Sequence, residues 1–142
     1  MPGLKRREGE PEVSVRVFLV EDMKYIRDLV SELLSSVGNF RLVGASGTEA
    51  EARLWLAEHP DAWDLAVIDL VLEQGSGIGV IPTARDTAAG RGNVVVFSDY
   101  ASDGIRNHCL RLGADAVFLK SQTRDLMDYC SELGGLAAAC AP

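Results

Sequence analysis

Apolar residues along this chain come in two rhythms, and the changes from one to the other mark its elements. From Val13 to Val20, Val15, Val17 and Leu19 alternate with Arg16, Phe18 and Val20, the period of a strand. From Lys24 the spacing lengthens: Ile26, Leu29, Val30, Leu33, Leu34 and Val37 recur at helical intervals, and Gly38 supplies a stop. Arg41 to Ala45 is predicted as a short second strand. Thr48 and Glu51 have the spacing of a capping box, opening a helix whose inward face is predicted as Ala50, Leu54 and Ala57 and which ends before Pro60. The apolar run Leu65 to Leu70 reads as a strand buried on both faces. Glu73 to Gly77 is a loop, and Ile78 to Ala88 a third helix that tolerates Pro82 only close to its start. The series closes with a strand at Asn93 to Phe97, a helix from Ser102 to Leu112 with Ile105, Cys109 and Leu112 inward, a strand at Ala116 to Leu119, and a helix from Thr123 to Leu133 on Leu126, Tyr129, Cys130 and Leu133.

Five strands alternating with five helices specify an α/β fold, a doubly wound parallel sheet with helices on both faces. Right-handed crossovers restrict its topology, and the expected strand order is the flavodoxin-like 2-1-3-4-5. One domain is expected over residues 13–133. Residues 1–12, polar and without periodicity, read as a flexible N-terminal arm, and residues 134–142, with Gly134-Gly135 and several alanines, as a short C-terminal tail.

Composition narrows the function. A length of 142 residues suits one core, and 47% hydrophobic with 25% charged residues is the balance of a soluble globular protein. No run reaches the roughly 18 apolar residues of a membrane span, and the charged start lacks a signal peptide's apolar core, so the expected location is cytoplasmic. A formal charge of -7 argues against direct nucleic-acid or acidic-membrane binding; Lys5, Arg6 and Arg7 cluster, but Glu8 and Glu10 follow at once. Cys109, Cys130 and Cys140 lack metal-ligand spacing and read as reduced thiols. His59 and His108 have no metal partners nearby in sequence, and Trp55 and Trp63 are expected to cover the sheet. Gly75-Ser76-Gly77-Ile78-Gly79 tempts a dinucleotide reading, but the third fingerprint glycine would fall on Val80, and the stretch follows the third strand rather than the first.

Chemistry collects at the strand ends. The first strand delivers Glu21 and Asp22, the third Asp69, the fourth Ser98 and the fifth Lys120, and in a parallel sheet these face one crevice at its carboxyl edge. Clustered carboxylates raise one another's pKa unless a cation shares them, and hard oxygen ligands suit Mg²⁺. A lysine and a hydroxyl beside such an ion are what a phosphoryl group needs, and a carboxylate attacking phosphorus gives an acyl phosphate.

Through these residues the chain resembles the receiver domain of bacterial two-component response regulators over Val13 to Leu133. The matching motifs are VFLVED with the acidic pair Glu21-Asp22, LAVIDL with Asp69, the Gly77-Ile78 step, VVVFS with Ser98 and GADAVFLK with Lys120. The resemblance implies that Asp69 is the phosphoacceptor and that Asp22, Asp69 and the backbone carbonyl of Val71 ligate Mg²⁺ or Mn²⁺, with Glu21 acting through a bound water. It implies that Lys120 and Ser98 clasp the phosphoryl oxygens. The implied partners are a histidine kinase or histidine phosphotransfer protein as donor and a downstream protein target on the face of helix four, strand five and helix five, where Ile105, Val117 and Tyr129 are candidates; a homodimer stays open. With a short tail after the last helix, a stand-alone signalling domain rather than an enzyme is expected.

Several positions depart from the family's pattern. Asp99 stands where a small residue usually follows the hydroxyl, Ser121 where proline usually follows the lysine, and Val117 where an aromatic switch residue is usual; Phe118 should point to the other side of the sheet, leaving Tyr100 as a substitute. Neither Val71 nor Tyr100 is an acid or amide that would orient an attacking water, which implies slow self-dephosphorylation. Two other readings remain. One is a pseudo-receiver that binds without being phosphorylated. The other is a phosphohydrolase with Asp69 as nucleophile, for which Val71 cannot serve as the second acid.

Overall fold

The computed structural model describes residues 15–88 and 91–139. The expected N-terminal arm, the first two residues of the predicted first strand and Cys140 lie outside them. The elements follow in the predicted alternation: β1 (Val15–Val20), α1 (Lys24–Val37), β2 (Phe40–Ser46), α2 (Glu49–Glu58), β3 (Leu65–Ile68), α3 (Val80–Ala88), β4 (Asn93–Ser98), α4 (Asp103–Leu112), β5 (Ala116–Leu119) and α5 (Thr123–Ala139). All strand pairs are parallel and the order is β2-β1-β3-β4-β5.

The central strands are buried on both faces, which is why they read as continuous apolar runs. Phe18, Val20, Ala66, Ile68, Val94 and Val96 pack on one side against α2, α3 and α4; Val17, Leu19, Leu65, Val67, Val95 and Phe97 pack on the other against α1 and α5. Burying a Val, Leu, Ile or Phe side chain contributes about 1.5–3 kcal/mol each, so this double layer, rather than any loop, holds the strand ends in place. Every residue of β3 is buried, and the strand stops at Ile68, two residues earlier than the apolar run suggests. Asp69 is therefore the first residue beyond the sheet.

The structure differs from the sequence expectation in three further elements. In α2 the buried residues are Ala52 and Leu56, with Trp55 packed beside them, whereas Ala50, Leu54 and Ala57 are exposed. The reason is β2: Val43 is an extra residue against β1, and Gly44 beyond it lies directly beneath the Trp55 indole, where a Cβ would approach the ring to 2.7 Å. Trp55 stacks in turn on Phe18, with ring centroids 4.1 Å apart, and this contact sets the rotation of the helix. The Thr48 cap is as expected, its hydroxyl accepting from the Glu51 N–H at 3.1 Å. Helix α3 is preceded by a 3₁₀ turn at Gly77–Gly79, so Pro82 falls in the first turn, where no intrahelical donor is lost. Finally, α5 runs on to Ala139 instead of ending at Leu133; the alanines that follow Gly134-Gly135 favour helix.

Candidate functional site

The site begins with Asp69, whose N–H donates to the Val20 carbonyl at 2.9 Å and seats it beside the end of β1. Glu21 and Asp22 follow that end. Glu21 is 2% exposed and Asp69 6%, while Asp22 is half-buried. Ligand oxygens of the three carboxylates all lie within 4.8 Å of one another. From β5, the Lys120 ammonium reaches in and donates to Glu21 Oε1 at 2.9 Å and Asp69 Oδ2 at 3.1 Å. The Lys120 N–H donates to the Ser98 carbonyl at 2.9 Å, tying the ends of β5 and β4 together.

Burial and charge pull these groups in different directions. Loss of water raises the Glu21 pKa above the usual carboxylate range, and its bonds to Lys120 and to the Met23 N–H, at 3.2 Å, offset this only in part. Burial works to lower the Lys120 pKa, but Glu21 and Asp69 outweigh it and hold the ammonium more strongly protonated than usual. Of the three clustered carboxylates, the ammonium thus bonds only two, Glu21 and Asp69. The surplus negative charge, the hard oxygen donors and the near-complete burial of two of the acids fit a divalent cation such as Mg²⁺ or Mn²⁺.

A cavity of about 290 Å³ opens above this floor. Asp22, Asp69 and Lys120 form its base, and Met23, Val71, Glu73, Asp99 and Tyr100 its rim. Ser98 is fully buried beside the base rather than on the cavity wall, with its Oγ accepting from the Tyr100 N–H at 3.4 Å. Val71 donates its N–H to Asp69 Oδ1 at 3.3 Å, and Glu73 donates to Asp22 Oδ2 at 2.8 Å. The residues expected at the site, Glu21, Asp22, Asp69, Val71, Ser98 and Lys120, are thus gathered at one end of the sheet. Ser121 is reached without a cis peptide bond.

The output candidates fare differently. Val117 is 1% exposed and belongs to the core with Ile105 and Cys109, so it offers no contact surface. Phe118 lies on the opposite side against Tyr129, with ring centroids 5.8 Å apart, and the Tyr129 hydroxyl accepts from Asn93. Among the described residues, β5 therefore carries no aromatic ring next to Ser98. Phe97, next to Ser98 in sequence, is buried in the core, whereas Tyr100, two residues beyond Ser98, is 60% exposed on the cavity rim. The contribution of the loop after Asp69 was not legible in advance. The glycines of Gly75-Ser76-Gly77-Ile78-Gly79 signal a close approach, but not to what; Gly77 proves to rest on the Asp69 backbone carbonyl, where no Cβ would fit.

Known proteins resemble this chain in sequence and in fold. The DNA-binding transcriptional activator DevR/DosR of Mycobacterium tuberculosis is 31% identical over 109 residues, which are 75% of this chain and 48% of that protein. The chain spans about half the length of that curated relative. The CheY-like response regulator receiver domain protein of Methanospirillum hungatei JF-1 has a similar structure, with a TM-score of 0.72 and 25% identity, over 90% of this chain and 99% of that one. The phosphorylated cyanobacterial phytochrome response regulator RcpA shares the fold with a TM-score of 0.70 and 24% identity, over 91% and 97% of the two chains. Residues 17–130 match the response regulator receiver domain family, and the chain belongs to it.

Proposed function

We propose that Asp69 accepts a phosphoryl group from the phosphohistidine of a histidine kinase or phosphotransfer protein, in a reaction that requires Mg²⁺ or Mn²⁺. The observation that carries this reading is the Lys120 ammonium bridging Glu21 and Asp69 at the base of an open cavity. The Asp69 carboxylate attacks phosphorus while the bond from phosphorus to the imidazole nitrogen breaks, and the electron pair of that bond leaves on the imidazole. Lys120 is placed to turn from Asp69 to a phosphoryl oxygen without leaving Glu21. The divalent ion, held by Asp22, Asp69 and the Val71 carbonyl with Glu21 behind a water, would supply positive charge to the remaining phosphoryl oxygens.

The message starts at Ser98. Its hydroxyl already accepts from the Tyr100 N–H and still has a proton to donate, so a new phosphoryl oxygen can draw Ser98 and the loop leading to α4 together. Phosphorylation adds about -1.5 to -2 charge at neutral pH. A nearly complete switch, from about 1:99 to 99:1, needs about 5.5 kcal/mol of preference for the second state. With Val117 in place of a ring, the coupling passes through the Ser98–Tyr100 loop and α4, towards a protein target on the α4, β5 and α5 face. The reading places this domain in the cytoplasm, and its formal charge of -7 argues against direct nucleic-acid contact by these residues. Among the described residues, no helix is long and apolar enough to cross a membrane.

A pseudo-receiver reading is favoured by one observation, the acidic side chain of Asp99 on the cavity rim. Incubation with Mg²⁺ and acetyl phosphate, followed by intact-mass measurement, separates the possibilities. A phosphoryl adduct that is absent in Asp69→Ala is expected; no adduct on the wild type supports the pseudo-receiver, and continuous phosphate release without an adduct supports a hydrolase.

A further inference from the structure

We infer that Glu49, at the start of α2 and outside the carboxylate cluster, is a positioning residue for the metal-binding loop; the inference rests on the phosphoacceptor reading above. Glu49 Oε1 accepts from the Ser76 N–H at 2.9 Å, and the Glu49 N–H donates to the Gln74 carbonyl at 3.2 Å. Ser76 pairs with Val71 in an isolated antiparallel bridge, closed by the Gly77 N–H on the Leu70 carbonyl at 2.9 Å. Val71 is the residue whose carbonyl is assigned to the ion, and its own N–H is held by Asp69. A continuous path of backbone pairing therefore runs from Glu49 through Ser76 to Val71 and Asp69. On its other side the same loop is held through Glu73 by Asp22.

The carboxylate is fitted to this place. Its side chain is 26% exposed and lies against both Gly75 and Gly79, where a Cβ on either glycine would collide with it. Two glycines flanking one carboxylate leave it room to reach the Ser76 N–H. The ion pair from Arg53 to Glu49, at 3.5 Å and mostly exposed, adds little, since such surface pairs contribute about 0–1 kcal/mol. What matters is the oxygen acceptor, and not the charge.

Three full-length variants test this, read first by Mn²⁺ binding from the electron paramagnetic resonance signal of the free ion and then by the Mg²⁺ dependence of phosphorylation by acetyl phosphate. Glu49→Ala is expected to weaken Mn²⁺ binding by about five- to tenfold, the order of one lost hydrogen bond. It should raise the half-saturating Mg²⁺ concentration while leaving the plateau rate nearly unchanged. Glu49→Gln keeps an acceptor oxygen and should stay within about twofold of wild type. Gly79→Ala should behave like Glu49→Ala, because its methyl displaces a side-chain end that can swing away at little cost in stability; it also carries the test should Glu49→Ala fail to fold. Wild-type Mn²⁺ affinity in Glu49→Ala or Gly79→Ala would overturn the inference, as would Glu49→Gln binding as weakly as Glu49→Ala. Should the wild type neither bind Mn²⁺ nor become phosphorylated, the functional reading falls and this inference with it. Should the inference about Glu49 alone fail, the wild type still binds Mn²⁺ and becomes phosphorylated.

Discussion

Replacing Lys120 with methionine is the perturbation most revealing of the site's electrostatics. The ammonium makes two charge-assisted hydrogen bonds, at 2.9 Å to Glu21 and 3.1 Å to Asp69, and side-chain exposure is 14% for Lys120, 3% for Glu21 and 7% for Asp69. Removing one partner of a buried ion pair typically costs about 3–5 kcal/mol, because the other charge is left uncompensated. Here two carboxylates are stranded, but a mouth open to water softens the penalty, so about 3 kcal/mol is expected near neutral pH without divalent ions. In a domain of this size that lowers the melting midpoint by roughly 6–12 °C. The loss should depend on pH, and its sign follows from Glu21. The pKa of Glu21 is raised on folding, so the stability linked to its proton is present below the usual carboxylate pKa and is lost as pH rises through the raised value. Methionine removes the lysine that opposes this rise, so Lys120→Met should lose less relative to wild type at about pH 5 than at about pH 7.5. Saturating Mg²⁺ should recover part of the loss, because the ion binds only the folded cluster. Urea unfolding of both proteins at the two pH values, with and without Mg²⁺, measures every quantity. A loss below about 1 kcal/mol at neutral pH, or a larger loss at the acidic pH, would refute the reasoning.

Gly77→Ala places a methyl group on the Asp69 backbone carbonyl, where no side-chain rotation relieves the clash. The expected cost is about 1–3 kcal/mol with slower phosphorylation; a variant as stable and as readily phosphorylated as wild type would contradict the packing described. Val71 and Tyr100, both on the cavity rim, offer no acid or amide to orient a water, so the isolated phosphoprotein should persist for many minutes. Phosphate release complete within seconds would count against that. The Ser98–Tyr100 coupling makes a fluorine label on Tyr100 the expected reporter: its nuclear magnetic resonance signal should shift on phosphorylation, and an unmoved signal would send the message elsewhere.

The strand ends were legible because the physics that selects them is local. Short apolar runs such as Leu65 to Leu70, bounded by turn residues, favour central strands, and in a parallel sheet whatever follows them is delivered to one edge; this is why Glu21, Asp22, Asp69, Ser98 and Lys120 were readable as a group. The face of α2 was not. Ala50 and Leu54 form an apolar stripe at helical spacing just as Ala52 and Leu56 do, and the choice between them rests on Trp55 meeting Gly44 at the bulged edge strand, a tertiary contact with no local signal. Likewise Gly134-Gly135 reads as a helix end, yet the helix continues through both glycines into the alanines beyond, which favour helix. Glu49 had no signature at all: it reads as a first-turn acid of α2, and its partner Ser76 lies 27 residues away.

The central claim is chemical, that a phosphoryl group forms a mixed anhydride with one carboxylate out of the three in the cluster. Borohydride reduces an acyl phosphate of aspartate to homoserine, so phosphorylation with acetyl phosphate and Mg²⁺, reduction, digestion and peptide sequencing by mass spectrometry read the acceptor directly. The account predicts homoserine at position 69 and nowhere else, dependent on the divalent ion. A reduced residue at position 22, or a phosphorylated protein with Asp69 unchanged, would contradict it.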